Sequence, residues 1–130
     1  MARRVYVDAS VALAWLLAEP RQPAPHLWQA ELVSSRLLQV ELACRLRAYR
    51  VGPEVVAASQ ALVAKVDLVE FSPHVTLRAC QPFPTPLRAL DALHLATLEF
   101  VRGLGAEVTL ASFDDRLTAA AEALGVAIWR

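Results

Sequence analysis

The sequence is short of cysteine and of long apolar runs, and each shortage excludes a class of protein. Its two cysteines, Cys44 and Cys80, lack the matching pair of histidines that a zinc site would need. Both are expected to be small buried residues in a reducing compartment. The apolar runs are interrupted before they reach membrane-spanning length, so no membrane partner is expected. The start, MARRVYVDAS, leads into a predicted strand without a signal-peptide core, and a cytoplasmic location is expected.

Net charge is absent as well, because thirteen basic residues balance thirteen acidic ones. A neutral chain is not expected to coat nucleic acid by charge alone, although a local groove is compatible with neutrality. Lys65 is the one lysine, so the basic residues are nearly all arginine. Arginine binds phosphate through paired hydrogen bonds, which suits nucleic acid, but a genome that prefers arginine codons explains the same bias.

The chain is rich in hydrophobic residues, which make up 56% of its 130 residues. That content predicts one well-packed domain over residues 1–130. Short β-branched runs alternate with amphipathic stretches, which is typical of an α/β protein with a mostly parallel sheet. The predicted strands are 5–7, 32–34, 68–71, 108–111 and 126–128. The predicted helices are 11–18, with Ser10 as its cap, 24–31, 37–49, 53–66, 73–80, 87–102 and 115–124.

Acidic residues follow two of the predicted strands. Asp8 comes directly after the first strand, and Asp114 and Asp115 come after the fourth, separated from it by Ser112 and Phe113. Ligands bind at the carboxyl ends of strands in open parallel sheets, which makes these acids candidates for a site. Simpler roles are also open, since aspartate forms turns and Asp114 is well placed to cap the last helix, with Asp115 in its first turn.

Two more acids lie on apolar stripes of predicted helices. The helical neighbours of Glu41 are Leu37, Leu38, Cys44 and Arg45. An ion pair with Arg45, one turn on, would explain Glu41 without any chemistry. Asp91 shares a stripe with Leu95, and an acid near a helix start is favoured by the helix dipole alone.

The four acids together favour a shared cation over four separate explanations. Burying an unpaired carboxylate costs several kcal/mol, on the order of the net stability of a small domain. Mg²⁺ and Mn²⁺ prefer oxygen ligands and retain waters, so a few carboxylates suffice to bind them. Sites of this kind recur in enzymes that cleave phosphodiesters.

Four blocks of the chain resemble the PIN-domain ribonucleases, in particular the VapC toxins of prokaryotic toxin–antitoxin pairs. They are VYVDASVALAW, VELACRLR, LRALDALHLATL and LASFDDRLTAAAEALGV, and their order, spacing and total length all match. The resemblance implies a three-layer α/β/α sandwich with a short central sheet and a Mg²⁺-dependent (or Mn²⁺-dependent) endoribonuclease. It implies metal-binding, catalytic roles for Asp8, Glu41, Asp91 and Asp114, supported by Ser10 and Ser112.

The same resemblance implies three partners: an RNA substrate, a cognate antitoxin that covers the site, and a second copy of the chain. His94 lies one turn after Asp91, where a metal or base role is conceivable but a structural or substrate-edge role is favoured. The three tryptophans are expected to be core or interface anchors rather than base-stacking platforms. Incompletely buried anchors for an antitoxin helix are expected at Trp15, Leu16, Leu27 and Trp28.

Two alternatives stay open. A receiver-type phosphoacceptor domain also gathers acids around Mg²⁺, but it needs a lysine near the third acid, and Lys65 is poorly placed for that. A non-catalytic member of the PIN fold would bind without cleaving, although an intact set of four acids argues against it. A haloacid-dehalogenase-like phosphatase is disfavoured because Ser10 stands where its second acid belongs. The chain has no Ser–His–Asp spacing that would supply a nucleophile, so a metal is the expected source of activity.

Overall fold

The computed structural model describes residues 3–130, and a parallel five-stranded sheet forms its centre. The strands are β1 (Arg3–Val7), β2 (Leu32–Ser35), β3 (Asp67–Val69), β4 (Glu107–Ala111) and β5 (Ala127–Ile128). The helices are α1 (Ala9–Leu16), α2 (Leu37–Ala48), α3 (Pro53–Ala64), α4 (Pro73–Ala79), α5 (Ala89–Gly103) and α6 (Asp115–Ala123). The predicted α/β class is confirmed, and the described sheet is parallel throughout.

In the strand order, β3-β2-β1-β4-β5, the direction in which the chain adds strands reverses beside β1. The chain first builds outward through β2 and β3 and then returns to add β4 on the other side of β1. Crevices at such points are where α/β sheets bind ligands. The pairing of β1 with β4 ends at Val7 opposite Ala111, so Asp8 and Ser112 leave the sheet side by side.

Alternation of side chains along β1 divides the interior into two cores. Val5 and Val7 pack with α1, α2 and α3 on one face of the sheet. Tyr6 points to the other face, among residues of α5 and α6 such as Leu98 and Leu117. Helices therefore cover both faces, and the predicted three-layer sandwich is confirmed.

Two predictions about the first helices of the chain are wrong. Ser10 does not cap the first helix, because α1 already begins at Ala9 and Asp8 occupies the cap position in extended conformation. The Asp8 carbonyl accepts the first helical hydrogen bond, from Val11, which places Ser10 inside the first turn. The helix predicted over 24–31 is a single 3₁₀ segment, Pro25–Gln29, confined by the prolines around it.

The prediction of buried cysteines is also wrong, since Cys44 and Cys80 are both exposed. The buried stripe of α2 runs through Leu38, Leu42 and Leu46, and Cys44 lies off that stripe. Cys80 follows the last residue of α4, beyond the buried face of that short helix.

The tryptophan pair at the proline-rich turn is partly exposed, as expected, but Leu27 beside it is not. Trp15 has 41% of its surface exposed, and its ring lies 5.7 Å from that of half-buried Trp28. Leu27 is fully buried because the 3₁₀ segment turns it into the core below β1. Within residues 3–130, no helix combines the length and apolarity needed to cross a bilayer.

Candidate active site

Asp8 lies at the centre of a hydrogen-bonded turn at the carboxyl edge of the sheet. Its side chain is almost fully buried, and its backbone N–H continues the β1–β4 ladder by donating to the Ala111 carbonyl at 3.0 Å. Oδ2 of Asp8 accepts two hydroxyl hydrogen bonds, from Ser10 at 2.6 Å and from Ser112 at 2.8 Å. The carboxylate is thus held in one orientation, with Oδ1 left outside these hydrogen bonds.

The same two serines hold the turn that carries Asp114. The Phe113 N–H donates to Ser10 Oγ at 2.9 Å, and the Asp114 N–H donates to Ser112 Oγ at 3.0 Å. Oδ1 of Asp114 then accepts from the first backbone N–H groups of α6, so the predicted capping role of Asp114 is confirmed. Asp115 lies in the first helical turn and is exposed, also as predicted.

Glu41 enters the site from α2 and pairs with a histidine rather than with Arg45, the partner that would have explained it without chemistry. Its Oε1 lies 2.5 Å from Nε2 of His94, a buried residue of α5. Among the ion pairs of the described chain, none joins Glu41 to Arg45, whose side chain is exposed. The contact joins the two helical layers over the edge of the sheet. Sequence reasoning missed it because its partners are far apart in the chain; the only signal was His94 one turn after Asp91.

A third buried group extends that contact. The Tyr6 hydroxyl lies 2.7 Å from Nδ1 of His94, and it accepts the backbone N–H of Ser35 at 3.1 Å. Burial raises the pKa of Tyr6 far above its usual value, so the phenol stays protonated. Burial lowers the pKa of His94, but the hydrogen bond to Glu41 and the negative charge of Asp8 outweigh it, and the net shift is upward.

Asp91 is the least constrained of the four acids. It lies in the first turn of α5, and within residues 3–130 its side chain makes no hydrogen bond. Its pKa is raised from 3.8 to about 6, chiefly by burial and then by the negative charges of Asp114, Asp8 and, more weakly, Glu41. The four carboxylates are therefore close enough to repel one another. Among the described residues, His94 is the one whose charge lowers the pKa of Asp91.

One pocket at this edge of the sheet brings the acids together. All four predicted acids line it, along with Ser10, while Ser112 lies just beneath. Three arginines form part of its wall: Arg21, Arg45 and Arg88. The guanidinium of Arg21 stacks 4.2 Å from the centre of the Phe113 ring, which also lines the pocket.

The side chains of the pocket fit a hard divalent cation. Among the described residues, no three carboxylate, histidine or cysteine groups are already close enough to enclose an ion. Each acid nevertheless keeps an oxygen outside its hydrogen bonds: Oδ1 of Asp8, Oε2 of Glu41, Oδ2 of Asp114 and both oxygens of Asp91. Mg²⁺ commonly binds through one or two carboxylates, with waters and substrate phosphates completing its shell, so this donor set suits it.

Comparison with known proteins agrees with these features. A family model described as "PIN domain" matches residues 5–123, a range that includes all four acids. The chain is 33% identical to Ribonuclease VapC35 of Mycobacterium tuberculosis, over 95% of this chain and 94% of that one. It is 31% identical to Ribonuclease VapC46 of the same species, over 95% of each chain. No solved structure gives a significant match. The resemblance seen in the four sequence blocks is confirmed, and the chain belongs to the PIN-domain family as a VapC-type ribonuclease.

Proposed function

We propose that this chain is a divalent-metal-dependent endoribonuclease and the toxin of a toxin–antitoxin pair. The observation that carries the proposal is the convergence of Asp8, Glu41, Asp91 and Asp114 on one pocket at the switch point of the sheet. The raised pKa of Asp91 supports it, because burial and then repulsion from the other acids disfavour the charged carboxylate, and a bound cation would relieve both. The curated relatives named ribonucleases support RNA as the substrate.

Mg²⁺ or Mn²⁺ bound by these acids would lower the pKa of a water and offset charge on the scissile phosphate. The chain's own residues provide the framework for that chemistry. Ser10 and Ser112 keep Asp8 in a fixed orientation, and the α6 backbone does the same for Asp114. Preorganisation of this kind avoids reordering the carboxylates when substrate binds.

The arginines of the pocket wall are our candidates for contacts with RNA. Arg21, Arg45 and Arg88 surround the acids, and no ion pair among residues 3–130 occupies them. Guanidinium groups bind phosphate through paired hydrogen bonds, which would offset the repulsion between RNA and the acidic centre. The stack of Arg21 on Phe113 holds its guanidinium next to Asp114, where it would contact a phosphate close to the acids.

The proposal includes a cognate antitoxin, a homodimer and a cytoplasmic location. The exposed Trp15 and its neighbour Trp28 are the anchors that we assign to the antitoxin, because aromatic side chains in partly exposed pairs commonly dominate interfaces. Leu27 no longer belongs to that surface, since it is buried.

The two alternative functions have less support. A receiver-type domain needs a lysine beside the acids, but Lys65 follows the last residue of α3 and is not part of the pocket wall. A purely binding member would not need all four acids in one pocket.

The test is cleavage of total cellular RNA by the purified protein with Mg²⁺, with Mn²⁺ and with a chelator. We expect cleavage with either metal and none with the chelator. Asp8→Asn, prepared in the same way, controls for contaminating nucleases and should be inactive. Cleavage that persists in the chelator and disappears in the Asp8→Asn protein would contradict the metal requirement but keep the site.

A further inference from the structure

A buried chain of hydrogen bonds runs from the core to the acidic pocket through Tyr6, His94 and Glu41. Tyr6 is fully buried, and His94 is 1% exposed, whereas Glu41 is half-buried and lines the pocket. The two links measure 2.7 Å, from the Tyr6 hydroxyl to Nδ1, and 2.5 Å, from Nε2 to Oε1. Among the hydrogen bonds of residues 3–130, Glu41 has no other side-chain partner.

The direction of the hydrogen bonds follows from counting donors. The Ser35 N–H donates to the Tyr6 oxygen, so the hydroxyl proton of Tyr6 is free to be donated to Nδ1 of a neutral His94. A neutral imidazole that accepts at Nδ1 carries its proton at Nε2, and an imidazolium carries a proton at both nitrogens, so Nε2 is a donor in either form. That proton points to Oε1 of Glu41, because Nε2 is only 2.5 Å from that oxygen.

We propose that Tyr6 and His94 are positioning residues for Glu41. They hold Oε1 by a donated hydrogen bond and leave Oε2 free to face the cation. The glutamate comes from a helix and has three rotatable bonds, so without this support it would have to be ordered when the metal binds. Partners that orient carboxylates and histidines at metal centres act in this way. The inference rests on the proposed function, since it assigns Glu41 to the metal.

A purely structural role for the pair makes a different prediction from a positioning role. A structural role depends on filling the space beneath the sheet edge. A positioning role depends on one donor at the place of Nε2. Glutamine at position 94 brings its amide nitrogen close to the place of Nε2, whereas asparagine is shorter and brings its polar atoms close to the place of Nδ1. The two variants are similar in polarity and differ in reaching Glu41.

The experiment is a calorimetric titration of Mn²⁺ into the RNA-free protein at fixed pH, with thermal unfolding measured on the same samples. The variants are His94→Gln, His94→Asn, Tyr6→Phe and Glu41→Gln. Ser59→Ala is the control, because it removes a buried hydroxyl of α3 that lies outside the acidic pocket.

We expect His94→Asn to weaken Mn²⁺ binding by about ten- to a hundredfold, as loss of an orienting partner does at metal centres. His94→Gln should retain most of the affinity, Tyr6→Phe should lose about fivefold, and Ser59→Ala should bind like the wild type. Equal affinities for His94→Gln and His94→Asn would overturn the positioning role. If Glu41→Gln and the wild type bind Mn²⁺ equally well, the assignment of Glu41 to the metal fails instead, which separates the two claims.

Discussion

The acids at the strand ends and the acids on the helices are held in different ways. Asp8 and Asp114 are fixed by several hydrogen bonds where β1 and β4 end side by side, from two serines and from backbone N–H groups in the first turn of α6. Glu41 depends on a single contact from another layer of the fold, and Asp91 makes no hydrogen bond within the described chain. The difference indicates that half of the site is preformed by several hydrogen bonds between adjacent strand ends, and that the other half depends on one contact between helices or on a cation.

The largest effect is expected where a rigidly held acid loses its charge. Asn caps a helix as well as Asp does, so Asp114→Asn should keep the fold while removing a negative charge from the pocket. RNA cleavage should fall at least about a hundredfold, because several kcal/mol of metal-dependent stabilisation are lost. The measurement is the initial rate of cleavage at saturating Mg²⁺.

The neighbouring residue provides the control for that change. Asp115→Asn removes the same charge one residue later, on an exposed side chain that contributes only through the helix dipole. It should cost about 0.3–1 kcal/mol of stability and little activity. If Asp115→Asn proves to be the more damaging variant, Asp115 rather than Asp114 is the fourth acid.

A smaller effect is expected from the serine that joins the two strand-end acids. Ser112→Ala removes a donor to Asp8 and an acceptor for the Asp114 N–H. Both carboxylates lose part of their orientation, so cleavage should fall about tenfold, with a loss of about 1–2 kcal/mol of stability. Activity measured beside urea unfolding separates the two effects; a loss of stability with unchanged activity would limit Ser112 to folding.

The arginines of the pocket wall should affect binding more than chemistry. Arg45→Gln should raise KM for RNA about fivefold and leave kcat nearly unchanged, because one phosphate contact is lost. Arg47→Gln is the matched control on the same helix, where Arg47 lines a groove between α2 and α3 instead. Equal effects of the two variants would mean that RNA binding is not centred on this pocket.

Asp91 should make the metal-free protein less stable as the pH rises. The folded protein keeps the Asp91 proton up to about pH 6, whereas the unfolded chain releases it near its usual pKa of 3.8. The folded state therefore binds more protons between about pH 4 and 6, and stability falls as the pH rises through that window. In Asp91→Asn, the free energy of unfolding should fall by about 1 kcal/mol less over this window, a value that allows for solvent screening of a half-exposed group. Urea unfolding of both proteins in chelator at pH 4 and pH 7 measures this difference.

The two halves of the site also differ in how far the sequence predicts them. Asp8 and Asp114 follow strands, so their position at the sheet edge and the capping role of Asp114 depend on residues close in the chain. The hydrogen bond from Ser112 to Asp8 joins two distant strands, and a supporting role for Ser112 was expected only from the family resemblance.

For Glu41, the one side-chain partner considered from the sequence was Arg45, one turn away, as an alternative to metal binding, whereas the structure pairs Glu41 with His94 from another helix. Helical periodicity describes one helix at a time and contains no information about which helices meet.

The burial errors have a similar origin. Cys44 was placed on a buried stripe because leucines surround it, but the stripe that packs against the sheet passes through Leu42 and Leu46 and leaves Cys44 outside. The orientation of α2 about its axis is set by its contacts with α1 and α3. The exposed cysteine beside the acids is therefore a feature that only the folded chain shows.

The most direct test of the central claim is the stability of wild type and Asp91→Asn at pH 7.5, each with a chelator and with saturating Mg²⁺. In chelator, Asp91→Asn should be the more stable protein, because the variant no longer buries a charged carboxylate and repulsion among the acids is reduced. In Mg²⁺ the order should reverse, because the wild type gains binding free energy that the variant largely lacks. If Mg²⁺ leaves both proteins unchanged, or stabilises both equally, Asp91 does not bind the metal and the account of this site is contradicted.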